Sequence, residues 1–375
     1  MTIKELAFSA QQHLQASTGT QIKRAHIYEL LAAAFGFGSY AALCADAVFT
    51  KHSLTNWRSK NYGEHIRRRC IEIGYQADTA VTVATALPTL MTDQEIGVVR
   101  ISDLIAHLRF ESGLDDWLEE DQQEELDADE DEHWPDPVAS PLLLDGLNAA
   151  ADKGHAPAHY ALALIYSSTD EDFGSPGVGG DYWYKQAEEG SALTGVEKEW
   201  ADAHATRLAR EEKSMHHLRE AAKLGHQAAL LDLADRFDDP TFFEQKASSV
   251  NAHPSRIAEI AERMGRTEDA KIWLTEAAKL GDTDAMRQLI DEYDYDNLQQ
   301  CWTWVYLAQL LGTDLTKDEY VAIHENGSPY DDDVGGAVFA DGRDGVKLTP
   351  ISEQQEMAAR RSAREIYAGI QRTNN

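Results

Sequence analysis

The chain has 375 residues, 43% of them hydrophobic, and a formal net charge of −31 at pH 7. That length and apolar content allow two or three domains with substantial cores. So large a negative charge repels acidic partners, the nucleic-acid backbone among them, and speeds encounter with basic ones.

Cys44, Cys70 and Cys301 are widely separated and form no CxxC pair. They read as structural thiols of a reducing cytosol. Met1-Thr2-Ile3-Lys4-Glu5 shows no basic region leading into an apolar run, so no secretory signal is expected. The most apolar window, residues 30–49, is broken by Gly36, Gly38 and Asp46 and reads as two packed helices rather than a membrane span. The expectation is a cytoplasmic protein with no membrane contact.

Residues 1–110 form a first helical domain of nearly balanced charge, eleven Lys and Arg against nine Asp and Glu, so almost all the negative charge lies beyond it. A helix over 22–34, a Phe35-Gly36-Phe37-Gly38 connection and a second helix over 39–48 capped by Ser39 have helix-turn-helix spacing. A base-reading second helix would present Arg, Lys, Asn or Gln, and this one offers Ser39, Tyr40, Ala41, Ala42, Leu43, Cys44, Ala45 and Asp46. Direct DNA reading is therefore not expected. Arg58, Lys60, Arg67, Arg68 and Arg69 make one basic cluster near Trp57 and Tyr62, which could contact phosphates but reads rather as a solvated helix face or a partner for acidic residues downstream. Residues 77–86 and 101–108 are helix-compatible, separated by Pro88, and Val98-Val99-Arg100-Ile101 suits a short strand.

Fourteen acidic residues and no Lys or Arg fall between Glu111 and Asp136. Self-repulsion makes residues 111–138 a linker or interaction tail. A calcium loop is not expected, because Asp127-Ala128-Asp129-Glu130-Asp131-Glu132 lacks the central Gly.

Beyond it one pattern recurs. Ala150-Ala151-Asp152-Lys153-Gly154 precedes Ala158, Leu162 and Tyr166. Ala221-Ala222-Lys223-Leu224-Gly225 precedes Ala229, Leu233 and Phe237, and Ala277-Ala278-Lys279-Leu280-Gly281 precedes Ala285, Leu289 and Tyr293. In each copy a helix ends on small residues, Gly turns the chain, and the next helix carries an apolar stripe at four-residue steps. Weaker copies end at Gly190 and Gly312, and residues 238–270 interrupt the pattern with an insertion containing Phe242, Phe243 and a helix over 255–264. A hairpin of this size cannot bury its own stripe, so neighbours must stack.

These residues, with Gly177-Val178-Gly179-Gly180-Asp181-Tyr182-Trp183, resemble the Sel-one-like repeat, a relative of the tetratricopeptide repeat. The resemblance covers residues 141–312 and implies an all-α fold, an α-solenoid of helix-turn-helix repeats that holds other proteins and has no catalytic residues. Lys23-Arg24-Ala25-His26 through Ala42-Leu43 also resembles a small helical module at the start of some bacterial proteins related to glyoxalases.

The solenoid is expected over 139–325, closed by a helix over 317–324. A Gly- and Asp-rich loop over 326–349 and a last helix over 350–375 follow. HExxH, GxSxG and a Gly-rich phosphate loop with Lys are absent, and no enzyme, cofactor or metal is expected. His155 and His159, four apart, could share a face, but sequence supplies no third ligand. The expected function is a scaffold or adaptor that grips a basic partner protein, with Glu188, Glu189, Glu197, Glu199, Asp202, Asp232 and Asp235 as candidate contacts. The alternative is an acidic neutraliser, an immunity protein, antitoxin or nucleic-acid mimic that blocks a basic partner.

Overall fold

The computed structural model describes residues 1–51, 62–112, 140–167, 179–245, 250, 252–324, 328, 330 and 338–373. Arg58, Lys60 and most of the acidic segment lie outside the described residues. The described chain is predominantly helical, with two short two-stranded ribbons. It divides into two compact units, Met1–Leu233 and Ala234–Asn375.

In the first unit, α1 (Ile3–Thr18) opens on a capping box in which Thr2 and Glu5 satisfy each other's backbone amides, and it ends on Gly19. Then come α2 (Arg24–Ala34) and α3 (Tyr40–Asp46), whose Ser39 cap accepts from the Ala42 amide at 3.1 Å. The chain continues through β1 (Ala47–Thr50), α4 (Tyr62–Glu72), α5 (Ala77–Asp93), β2 (Gly97–Arg100) and α6 (Ile101–Glu111). β1 and β2 pair antiparallel, Ala47 opposite Arg100 and Thr50 opposite Gly97, which matches the strand expected at Val98 and Val99. Leu6, Leu14, Leu30, Leu31, Phe49, Ile66, Val83, Leu87 and Val98 fill the core between these elements.

Pro88 does not break α5 as expected. A proline there has no N–H for the Ala84 carbonyl. The bare Gly63 of α4 comes close to that carbonyl, where an added Cβ would lie 3.4 Å from its oxygen.

Helix α7 (Pro141–Ala151) joins the same core through Leu142, and Gly146 lets it lie against β1, since an added Cβ would sit 3.1 Å from Val48 Cβ. Asp145 accepts from the Ile3 amide at 3.0 Å. α7 turns at Gly154 (φ 81°) into α8 (Ala156–Ser167). After α9 (Gly180–Glu188) comes the 28-residue α10 (Val196–Lys223), then Gly225 (φ 85°) and α11 (Gln227–Phe237), inside which the two units divide. α9 packs on the first turns of α10, and α8 lies along its later turns, where Ser214 donates to the Ala163 carbonyl at 2.9 Å.

The second unit begins with the end of α11 and α12 (Thr241–Glu244). Residues 238–270, expected to interrupt the hairpins, instead supply one: α13 (Pro254–Arg263) turns at Gly265 (φ 71°) and packs along α14 (Thr267–Leu280). Gly281 (φ 109°) leads into α15 (Thr283–Gln288), which continues as one π turn, Leu289–Tyr293, before α16 (Leu298–Leu310). The helix expected over 317–324 is a strand, β3 (Glu319–Ile323), paired antiparallel with β4 (Phe339–Arg343) inside the segment expected to be loop. Glu319-Tyr320-Val321-Ala322-Ile323 is short and carries β-branched and aromatic residues, so pairing outweighs a one-turn helix. Finally α17 (Glu353–Thr373) packs on α16 through Ala359, Ala363 and Ile370.

In each of the three strong copies a helix ends, a glycine of positive φ turns the chain and a second helix follows. Ala150, Ala151, Ala221, Ala222, Ala277 and Ala278 are buried, as are Ala158, Leu162, Ala229, Leu233, Ala285 and Leu289. The large third residue of each stripe reaches the helix end, where Phe237 is exposed and Tyr166 and Tyr293 are half-buried.

Candidate protein-binding surface

The described arginines of the basic cluster are occupied within their own unit. Arg67 pairs with Glu64 at 3.0 Å and Arg68 with Glu72 at 3.9 Å. Arg69, half-buried, bridges Glu29 at 2.5 Å and Glu72 at 3.1 Å. Its side-chain position ties α4 to α2, a structural role that sequence alone did not separate from a phosphate-binding one.

Two of the seven candidate carboxylates also serve the fold. Asp232 on α11 is 9% exposed and accepts from the hydroxyl of the fully buried Tyr160 at 2.7 Å. Arg109 of α6, 7% exposed, donates to the same hydroxyl and lies 3.6 Å from Asp232. Burial and then the Asp232 charge push the Tyr160 hydroxyl well above its ordinary pKa. The His226 ring lies over Tyr160 at 4.5 Å, and its pKa falls to about 4 because it is buried and faces Arg109. This network joins α6, α8 and α11. Asp235, half-buried, is held by Arg256 at 3.0 Å and Arg263 at 2.8 Å from α13.

A corresponding buried acid in the second unit escaped sequence reasoning. The π turn carries the chain one residue further before α16, and the Asp294 amide bonds to the Leu289 carbonyl at 2.6 Å. Asp294 then receives Trp304 Nε1 at 3.0 Å and Lys271 Nζ at 2.9 Å. The Asp294 contact raises the Lys271 pKa. The signal available in sequence was only Asp294 following Tyr293, and nothing there marks a π turn.

The other five candidates lie on the α9–α10 hairpin. Glu188 and Glu189 end α9, and Glu197, Glu199 and Asp202 begin α10. Glu188 accepts from the Tyr184 hydroxyl at 3.0 Å and Glu189 from Gln186 at 3.1 Å. Among the described residues Glu197, Glu199 and Asp202 have no ion pair or side-chain hydrogen bond. With Glu197 on the same side and, at about 100° per residue, Asp202 on the opposite side of the helix, Val196, Trp200, His204 and Leu208 form a row at four-residue steps along α10. Gly180 of α9 meets its middle, where an added Cβ would be 3.4 Å from the Trp200 carbonyl oxygen and 3.8 Å from His204 Cβ. The Tyr184 ring lies 5.2 Å from that of His204. Val196 (53%), Trp200 (38%) and Leu208 (37%) remain exposed, as does Tyr182 of α9 (54%).

His155 and His159 do not act together. His155 Nδ1 accepts from the Ala158 amide at 3.3 Å, as His226 does from Ala229 at 3.4 Å and Asp282 from Ala285 at 2.9 Å, so the residue after each hairpin glycine caps the next helix. His159 instead meets His217 of α10, Nδ1 to Nδ1, at 3.0 Å. Burial first, then neighbouring His159, His216 and Lys213, lowers His217 to about 4. Among the described residues no three His, Cys, Asp or Glu side chains are placed to hold a metal ion. No described helix is long and apolar enough to cross a membrane. Comparison with protein-family models, with curated proteins and with solved structures finds no match to this chain.

Proposed function

We propose that the chain is a protein-interaction scaffold built of Sel-one-like repeats, and that its helical hairpins line up into a solenoid whose exposed side chains hold a basic partner protein. The observation that supports this most is the α9–α10 hairpin, whose surface exposes large apolar side chains and also carries carboxylates that no described cation pairs with. Apolar anchors and unpaired charges on one rigid element suit recognition of another protein, because the anchors give affinity and the charges give encounter rate and selectivity. Rigid paired helices keep these groups at fixed positions and so lower the entropy lost on binding. No catalytic step, cofactor or metal is part of this reading.

Affinity capture of the full chain from its own cell extract, with mass identification and chemical cross-linking, tests it. A scaffold retains one or more proteins at defined stoichiometry, with cross-links to the helical repeats. A chain that retains none after gentle washing is not a scaffold. The net charge of −31 favours a second reading, an acidic neutraliser of a basic toxin, nuclease or DNA-binding protein. One tight partner whose activity is lost on binding selects the neutraliser, and several partners held together select the scaffold.

A further inference from the structure

We infer that the outward face of α17 is a docking face for an acidic, carboxylate-rich segment of another protein. It lies beyond the helical hairpins and calls for a partner of opposite charge to the one proposed above. It therefore adds a second kind of occupant to the reading that the chain binds proteins, and does not depend on the solenoid.

At about 100° per residue, Met357, Arg361, Arg364, Ala368 and Arg372 fall within about 80° of one another around the helix. Ala359, Ala363 and Ile370, which bury α17 against the core of its unit, lie on the opposite side. All five outward residues are exposed, Met357 at 59%. They make one face. Glu365 stands at its margin, and among the described residues it has no ion pair.

The arginines of this face differ from the others of their unit. Arg256, Arg263, Arg266, Arg287, Arg343 and Arg360 each meet a carboxylate, and Arg236 lies against the Phe237 ring. Among the described residues Arg361 and Arg364 meet no carboxylate, although Asp and Glu outnumber Lys and Arg over 234–375. Arg372 gives its Nε to the Ala368 carbonyl at 2.9 Å. The helix dipole favours a cation only in the last turn, so it accounts for Arg372 and not for Arg361 or Arg364.

Spacing and charge select the occupant. Arg361 and Arg364 lie within one turn, and Arg372 stands about 12 Å further along the helix. An extended segment covers that distance in about four residues, so carboxylates at that interval reach both ends of the face. Each guanidinium meets a carboxylate by a two-point fork. Ala368 between them leaves room for the segment to come close, and Met357 offers an apolar contact one turn before Arg361. Nucleic acid or an anionic bilayer spreads its charge over a much wider surface and meets the rest of a chain carrying −31. A short acidic segment engages the three arginines, and charges beyond a Debye length of about 8 Å are largely screened from it.

Two fluorescein-labelled synthetic peptides of equal length, one alternating glutamate with alanine and one alternating glutamine with alanine, provide the test with full-length protein. By anisotropy the glutamate peptide is expected to bind with a dissociation constant on the order of 0.1 mM or below, at least about tenfold more tightly than the glutamine peptide. Arg361→Gln/Arg364→Gln/Arg372→Gln is expected to weaken it at least about tenfold. Lys153→Gln/Lys198→Gln/Lys317→Gln removes the same charge elsewhere and is expected to change it less than about twofold. All six side chains are exposed, and far-UV circular dichroism verifies that both variants fold. Equal affinity for the two peptides, no binding of either, or equal loss in the arginine and lysine variants overturns the inference. So does a double-stranded oligonucleotide that binds more tightly than the glutamate peptide through the same arginines, or self-association of the unmodified chain that the arginine variant abolishes. Each of those results leaves the scaffold reading standing. Failure of the affinity capture described above, with the glutamate peptide binding as expected, removes the scaffold and leaves the face.

Discussion

Asp232→Ala separates a carboxylate that holds the fold from one that meets a partner. The substitution removes the acceptor of the Tyr160 hydroxyl, a 2.7 Å bond, and the negative charge 3.6 Å from Arg109. Breaking a buried pair from one side typically costs 3–5 kcal/mol because the remaining charge is left in a poor environment. Arg109 keeps its hydrogen bond to Tyr160, so the lower end, about 3 kcal/mol, is expected here. Tyr160→Phe, which leaves the charges together, is expected to cost about 1–2 kcal/mol. Replacing the set as Arg109→Met/Tyr160→Phe/Asp232→Leu removes every polar group at once and is expected to recover most of the loss. Amide hydrogen exchange read by mass spectrometry over residues 156–167 and 227–233 reports the opening of this region directly. Asp232→Ala should speed it about 100-fold, the equivalent of ~3 kcal/mol. Exchange within threefold of the unmodified chain, together with loss of a captured partner, would show that Asp232 acts at a surface and refute the reasoning.

The histidine pair at the α8–α10 crossing and His226 give a pH dependence of definite sign. His217 and His226 stay neutral to about pH 4 when folded, against an ordinary value of 6.5, so their contribution is complete above pH 6.5 and is lost as pH falls from 6.5 towards 4. For His226 this is on the order of 2 kcal/mol after allowing for partial exposure. Melting temperature across this window should fall less steeply in His226→Asn, which retains a cap acceptor, and an unchanged slope would argue against the assignment. Cys70 and Cys301 are buried, with thiols pushed up to about 11, so an alkylating reagent at pH 8 should label only Cys44 until the chain is unfolded. Rapid native labelling of all three would contradict that burial. Asp294→Ala strips the acceptor from Trp304 and Lys271 and should destabilise the second unit by about 3 kcal/mol in urea, with a change below 1 kcal/mol as the contrary result. Gly146→Val forces side-chain carbons against Val48 and should cost about 1–3 kcal/mol, read as a lower melting temperature, whereas an unshifted transition would show that α7 can back away from β1.

Those features that were local in sequence were legible in it. Gly154, Gly225 and Gly281 announce left-handed turns, the alanine pairs before them announce close helix contacts, and all are found as such. Ser39 capped the helix it was expected to cap. What escaped depends on residues far apart in the chain. Asp232 lies on α11 like its exposed neighbour Arg236, and only the positions of Tyr160 and Arg109 show which way it turns. The turn at Gly265 was hidden because Arg263-Met264 stands where the other copies place small residues. Pro88 broke the pattern on paper but not the helix, and β3 formed where a short segment found a strand to pair with. Of the candidate contacts, the five at the α9–α10 hairpin were grouped by sequence proximity, while the stripe from Val196 to Leu208 became evident only once Gly180 and Tyr184 were seen against it.

The most direct measurement is the affinity of a captured partner for the unmodified chain and for Glu197→Gln/Glu199→Gln/Asp202→Asn, by calorimetry at low and high salt. The account predicts binding that weakens with salt and falls at least tenfold in the variant, with the folded structure intact. Binding that is indifferent to both salt and these three carboxylates would contradict it.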